Sequence, residues 1–226
     1  MGMPTLTAVP LLCLIAPALM AESFDFHTDG MAVGATYETL ASGDFRLGDQ
    51  RFDWDHADRA ALAFRTRVGP LQQVETVGGI DIYGDWRSGD TPAGTLEDRT
   101  FGFDLQCALA LHLAKEPSQA AIDISAAPFL RAGIAWHQLS IKNVETDDVR
   151  VVDDADSARF AAAFGADLRL VVGRKFEAFA GGGMQFWTAG SMTVNGYSGS
   201  MPSNVSVTYS GQEVFLHLGV LLWLDR

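Results

Sequence analysis

Three pairs of side chains have the types and spacing to meet as ion pairs across tight turns. Arg67 and Glu75 flank Gly69-Pro70, His112 and Asp123 flank Pro117-Ser118, and Arg169 and Glu177 flank Gly173. Gly, Pro and Ser are residues that turns favour. Folding about Leu71 sets Arg67 opposite Glu75, and folding about Gly173 sets Arg169 opposite Glu177. Folding between Pro117 and Ser118 sets His112 opposite Asp123. Opposite charges on facing strands attract, and enclosed charges are costly unless paired. The chemistry expected of these six residues is charge neutralisation inside a closed space.

Residues for catalysis are sparser. The chain has no Walker loop, HExxH, GxSxG or CxxC pattern. Its five histidines, His27, His56, His112, His137 and His217, are scattered. A serine nucleophile needs a base within hydrogen-bond reach and an acid to orient that base. His137 with Ser140 is the nearest candidate. No catalytic residue, cofactor or metal ligand is therefore assigned. Two runs are acidic, Asp53-Trp54-Asp55-His56-Ala57-Asp58 and Glu145 to Asp156. Oxygen-rich clusters can take Ca²⁺ or Mg²⁺, but neither run follows a calcium-loop pattern, so both read as solvated acidic loops with divalent cations as candidate partners. A net charge of −12 with three lysines argues against nucleic acid.

The elements that would position these residues are strands. In Phe101 to Ala114, FGFDLQCALALHLA, the odd positions are Phe101, Phe103, Leu105, Cys107, Leu109, Leu111 and Leu113, while the even ones are small or polar. Side chains alternate faces along a strand. A run of fourteen exceeds an ordinary strand of about 5–6 residues and suits a bilayer crossing, which needs about 9–11. Similar segments lie at 31–40, 59–68, 74–86, 120–137, 158–172, 175–187 and 212–224. Gaps 41–58, 87–100, 138–157 and 188–211 are long and polar, while 69–73, 115–119 and 173–174 are short. Long and short connections alternate, so an up-and-down barrel would gather all long loops at one end. The apolar set would face lipid. Tyr37, Trp86, Trp136 and Phe186, with Phe101 and Phe160, fall where strands meet the long loops, as an interfacial girdle does. Pro128 lies inside a segment and should cause a bulge or irregularity.

The N-terminus, with an apolar stretch from Ala8 to Met20 followed by Ala21, reads as a secretory signal peptide over 1–21, leaving a barrel domain over 22–226. Cys13 would be removed with it, so Cys107 would be the only mature cysteine and no intramolecular disulfide could form. The last segment carries His217, Gly219, Leu222 and Leu224. This resembles the C-terminal signature of bacterial outer-membrane barrels: a polar residue, Gly two later, and apolar residues five and seven later. With the length of the alternating region, the chain resembles the small eight-stranded outer-membrane β-barrel family. That resemblance implies an all-β, eight-stranded antiparallel up-and-down transmembrane β-barrel in a Gram-negative outer membrane, with periplasmic termini. It also implies contact with outer-membrane lipid and lipopolysaccharide, and a last strand read by the barrel assembly machinery. The role expected is structural or surface-interactive, and a deacylase-like lipid-modifying enzyme or a narrow, porin-like pore are the alternatives.

Overall fold

The computed structural model describes residues 30–68, 73–91, 94–113, 120–142, 149–151, 158–173, 175–195 and 204–224. Every regular element among them is a strand: β1 (Met31–Leu47), β2 (Gln50–Asp53), β3 (His56–Val68), β4 (Val74–Thr91), β5 (Gly94–His112), β6 (Ile122–Lys142), β7 (Val149–Val151), β8 (Ala158–Val172), β9 (Phe176–Asn195) and β10 (Asn204–Trp223). Eight staves, β1, β3, β4, β5, β6, β8, β9 and β10, pair antiparallel in sequence order, and β10 pairs with β1 to close the ring. The short β2 and β7 extend β1 and β6 at one end. The fold is thus an eight-stranded, antiparallel, up-and-down barrel. The candidate signal peptide and the acidic run from Glu145 to Asp156 lie largely or wholly outside the described residues, as do Gly69-Pro70, Leu71 and Pro117-Ser118.

Closure fixes the stagger. Partners traced around the ring from Met31 run through Thr66, Gly78, Cys107, Leu130, Phe164, Met184 and Val214, and return to β1 at Ser42, eleven residues on. One of those eleven is the bulge at Ala41, between Leu40 and Ser42. A stagger of this size tilts the strands, and eight strands then leave an interior just wide enough for side chains.

The two faces have inverted chemistry. Leu62, Phe64, Ile80, Ile82, Phe103, Leu105, Leu109, Ile124, Leu130, Phe164, Leu168, Leu216 and Leu218 are all exposed on the outside. The inward face holds buried Arg, Asp, Glu and His with Ala and Gly. An uninterrupted apolar exterior around a charged interior is unfavourable in water and favourable in lipid, because a closed barrel leaves no unpaired edge for the hydrocarbon to meet. The architecture is that of a transmembrane β-barrel.

Three features depart from the sequence expectations. First, the gap 87–100 is a ladder, because β4 and β5 run on as a hairpin to Thr91 and Gly94. Residues 41–47, 50–53, 138–142, 188–195 and 204–211 are likewise in strands. Polar composition had marked these stretches as loops, yet backbone groups outside lipid still gain by pairing, and the alternation of faces continues there. Second, of the bulge or irregularity expected at Pro128, only the irregularity forms, as a local lapse of pairing. The β5–β6 register is unbroken, with pairing lapsing only where Leu109 and Ala110 would face Pro128 and Ala127, and Pro128 pairs normally with Ala166 on the other side. A proline with its missing N–H at that lapse costs little ladder. Third, each short hairpin is offset by two residues from the simple fold-over. Arg67 pairs with Val77, His112 with Ser125 and Arg169 with Phe179. At the last hairpin Val172 pairs with Phe176 around Gly173, whose φ of 59° is the left-handed conformation that glycine supplies freely. A two-residue offset preserves which face each side chain takes.

Candidate functional site

The lumen is the largest organised polar feature, and its residues come from every stave. Along β5 the inward positions are Asp104, Gln106, Ala108, Ala110 and His112, because they share parity with Gly102 and oppose the exposed odd positions. The same alternation turns Arg59, Arg65 and Arg67 inward on β3, and Asp81, Asp85 and Arg87 on β4. Among the described residues, ten buried inward acids meet ten buried inward bases, seven Arg and three His, in three tiers.

At the short-turn end, Arg67 Nε contacts Glu75 and its guanidinium lies 3.8 Å from the Trp223 ring centroid. His112 lies between two carboxylates, with Nε2 3.0 Å from Glu75 and Nδ1 against Asp123. Arg169 Nε donates to Glu177 at 2.6 Å, and Trp223 Nε1 donates to the other oxygen of Glu177 at 2.9 Å. All six residues paired from sequence therefore lie inward and in contact, each pair meeting on the diagonal rather than face to face. Diagonal neighbours about 7–8 Å apart are within reach of long side chains.

In the middle tier, Arg131 contacts Glu38, lies 3.1 Å from Asp104 and donates to Gln185 at 3.0 Å. Arg59 donates to Asp104 at 2.7 Å and stacks over Tyr83 at 3.5 Å. Arg65 bonds both oxygens of Asp81, at 2.6 and 3.1 Å, a bidentate arrangement that fixes geometry as well as charge. His217 contacts Asp167 and stacks on Phe129 at 5.3 Å. Gly219, two residues on, leaves room for the Phe179 ring, which a Cβ there would strike at 2.3 Å. Leu222 and Leu224 point outward and are exposed. The four residues of the C-terminal signature thus divide between the lumen and the outer face.

In the upper tier, Arg87 bridges Asp85 at 2.7 Å and Glu213 at 2.7 and 3.1 Å, and Arg159 donates to Asp85 at 2.6 Å. Asp98 accepts from Tyr209 at 3.0 Å and lies 3.6 Å from His137 Nδ1. His137 is buried against the Tyr209 ring, whereas Ser140 lies on the opposite face of β6. An odd separation along a strand puts two residues on opposite faces, so His137 and Ser140 cannot form a nucleophile–base pair.

Above this tier the interior becomes apolar. Phe45, Trp54, Leu96, Leu139, Trp187, Ala189 and Tyr209 form one buried cluster. Ring centroids lie 4.2 Å apart for Phe45–Trp54 and 4.6 Å for Trp187–Tyr209. The lid is not evident in the sequence because all of it except Trp187 lies in stretches that read as loops. The inward parity that Leu139 shares with Arg131 and His137, and Leu96 with Asp98 and Asp104, was the available signal.

Tyr37, Trp86, Trp136 and Phe186, expected as a girdle, are all outward and exposed, and Phe101 faces Trp136 across β5 and β6. Among the described residues, no group of three or more His, Cys, Asp or Glu side chains is arranged to hold a metal ion. Within the first acidic run, Trp54 belongs to the lid and Asp55 accepts from the Asp90 backbone at 3.0 Å.

No protein-family model and no curated relative matches the sequence. Among solved structures the chain is similar to Neisserial surface protein A, at 11% identity over 86% of this chain and 97% of that one, with a TM-score of 0.44. It is also similar to the attachment invasion locus protein Ail of Yersinia pestis, at 9% identity over 85% and 99% with a TM-score of 0.34. A third is the outer membrane protein OprG of Pseudomonas aeruginosa, at 10% identity over 90% and 100% with a TM-score of 0.35.

Proposed function

We propose that this chain is a bacterial outer-membrane β-barrel with a closed lumen, acting in envelope integrity or surface contact through its long hairpins. The observation that carries the reading is the filled interior: three tiers of paired charges beneath an aromatic lid. A void of about 20 Å³ between Glu38, Arg59, Arg87, Gln185 and Glu213 has room for about one water molecule, which favours a plug over a conducting path. The long hairpins lie outside the cell in this reading, and both termini and the short turns lie on the periplasmic side. The partners are outer-membrane lipid and lipopolysaccharide along the belt, and the assembly machinery at His217, Gly219, Leu222 and Leu224. Divalent cations are candidates at the acidic loops. Cleavage of a signal peptide near Ala21 belongs to the same reading, and N-terminal sequencing of the mature protein tests it.

Purified protein reconstituted in a planar bilayer tests the closed lumen. The expected result is heat-modifiable mobility on gels with no single-channel conductance. A steady conductance from protein that shows the mobility shift would replace this reading with the narrow pore. A Cys107→Ser variant carrying cysteine at Asp90 or at Lys175 tests orientation on intact cells. Labelling at 90 and not at 175 is expected, and the reverse would invert the topology.

A further inference from the structure

The outer wall carries one charged cleft that the closed-lumen reading does not use. It encloses about 530 Å³ and is lined by Gly84, Trp86 and Ser88 of β4 and by Glu97 and Arg99 of β5. All five share outward parity, because they alternate along their strands with the buried Asp85, Arg87, Asp98 and Thr100. The β4–β5 ladder sets Trp86 directly opposite Arg99 and Ser88 directly opposite Glu97. Facing side chains have Cβ atoms about 4.5–5.5 Å apart, and diagonal ones remain within reach of long side chains. The indole and the hydroxyl therefore flank both charges.

Arg99 Nη2 lies 3.5 Å from Glu97 Oε2, and the arginine is 74% exposed. The contact is long and open to solvent, and an exposed pair of this kind contributes little. Arg87, on the opposite face of β4, shows the contrast: it is buried and bonded at 2.7 Å to both Asp85 and Glu213. Each charge of the outer pair stays available to a partner of opposite sign. Toward the belt the cleft changes character. Gly84 sits two residues from Trp86 on the same face, and a Cβ there would meet only the Thr100 carbonyl, at 3.8 Å. Ile82, Phe101 and Phe103 stand exposed around it, so an apolar chain can lie against the backbone at the glycine. A polar pair at one end and an apolar trough at the other match an amphiphile standing along the wall. Aromatics near the ends of membrane strands mark headgroup depth, and Trp86 stands between the trough and the charges.

We infer that this cleft binds phosphoethanolamine, a head group with a phosphate and an ammonium two methylenes apart. Arg99 donates to the phosphate oxygens, and Ser88, diagonal to Arg99, donates its hydroxyl to the same group. Glu97 accepts from the ammonium, and Trp86, diagonal to Glu97, gives that cation an aromatic face. The ligand exchanges one weak internal pair for two, one at each charge. Phosphoglycerol offers Arg99 the same anion but sets nothing positive against Glu97, so Glu97 is the residue that selects. The head group can come from a phospholipid, from a lipopolysaccharide that carries it, or from the free phosphate ester. The recognition chemistry is the same.

The test uses the full barrel in detergent micelles, with native mass spectrometry counting the molecules that stay bound. Three arms each offer a matched pair: phosphatidylethanolamine against phosphatidylglycerol, lipopolysaccharide with against without phosphoethanolamine, and O-phosphoethanolamine against glycerol phosphate. The expected result is one molecule retained per barrel, with about three- to tenfold preference for the ethanolamine member of at least one pair. The responding arm names the source. Glu97→Gln should erase the preference while the other member of the pair binds as before. Arg99→Gln should lower retention of both members alike. The inference rests on the outward face meeting lipid, and heat-modifiable mobility, measured on every sample, reports that separately. Folded wild type that holds both members of every pair equally overturns the site and leaves the barrel reading intact. So does Glu97→Gln that keeps the wild-type preference. Wild type without the mobility shift would overturn the barrel reading, and this inference with it.

Discussion

His112 and His56 are each bonded to carboxylates, yet one is walled in and the other is open. His112 is buried in the lumen, and each ring nitrogen faces an acid, Asp123 on one side and Glu75 on the other. His56 has one nitrogen on Asp58 and more than half of its side chain exposed, across the β3–β4 ladder from Ser88. With both nitrogens bonded to carboxylates and water excluded, the ring has no free nitrogen to accept a proton and serves only to neutralise. With one nitrogen held and one available, the same group can act as a base. Burial and partner count, not residue type, separate the two regions.

The largest effects expected from this contrast lie in the lumen. Arg131 contacts or approaches Glu38, Asp104 and Gln185, so Arg131→Ala takes the nearest cation from Glu38 and one of two from Asp104, leaving Arg59 to serve two enclosed carboxylates. Removing one partner of a buried pair costs about 3–5 kcal/mol, and urea-driven unfolding from lipid vesicles would measure it. A cost below about 1 kcal/mol would mean that water reaches the middle tier, and the line drawn between lumen and rim would dissolve.

Next in size is the contrast between adjacent positions on one strand. Leu109 is exposed on the apolar belt, whereas Ala110 is buried in the lumen. Leu109→Arg should cost about 2–4 kcal/mol near the bilayer midplane. Ala110→Arg should behave differently, limited by crowding, since overpacking typically costs about 1–3 kcal/mol. Folding titrations into liposomes of two thicknesses separate them, because only the Leu109 penalty depends on depth. Equal depth dependence at both positions would contradict the assignment of faces.

How much of this was legible in the sequence depends on what sets each feature. Which face a residue takes follows from parity, so the belt and the inward positions of Arg67, Glu75, His112, Asp123, Arg169 and Glu177 could be read directly. The odd separation of His137 and Ser140 already placed them on opposite faces, by the same rule. Register was not legible, because turn geometry sets it: each short hairpin slips by two residues, and long side chains absorb the slip. The lid was hidden because Phe45, Leu96, Leu139 and Tyr209 lie in stretches whose polar content masks their alternation. The Ser88–His56 pairing was hidden too, since it needs the β3–β4 register and two residues with no local motif between them.

A smaller effect is the coupling between Arg169 and Glu177. Arg169 Nε donates to Glu177 at 2.6 Å, and Trp223 also holds Glu177. Either single alanine leaves a partner enclosed, so the double variant should recover part of the loss. Interaction energies between contacting residues run about 0.5–3 kcal/mol. Strict additivity in a double-mutant cycle would mean that the two do not meet and that the β8–β9 register is misassigned.

The smallest expected effect is the one that bears most directly on the two histidines. His56→Ala removes an exposed ring whose bonded partner, Asp58, keeps the Tyr37 hydroxyl, so no charge is stranded in an enclosed space. Surface substitutions of this kind usually fall within about 0.5 kcal/mol of the parent. His112→Ala takes from Glu75 and Asp123 the cation they share in the lumen, although Arg67 still reaches Glu75, and should cost several times more. Measured side by side in the same unfolding assay, the two variants should separate clearly, with heat-modifiable mobility retained in His56→Ala. Equal losses would mean that His56 is as structural as His112. The Asp58 dyad would then be one more neutralised pair that happens to face outward.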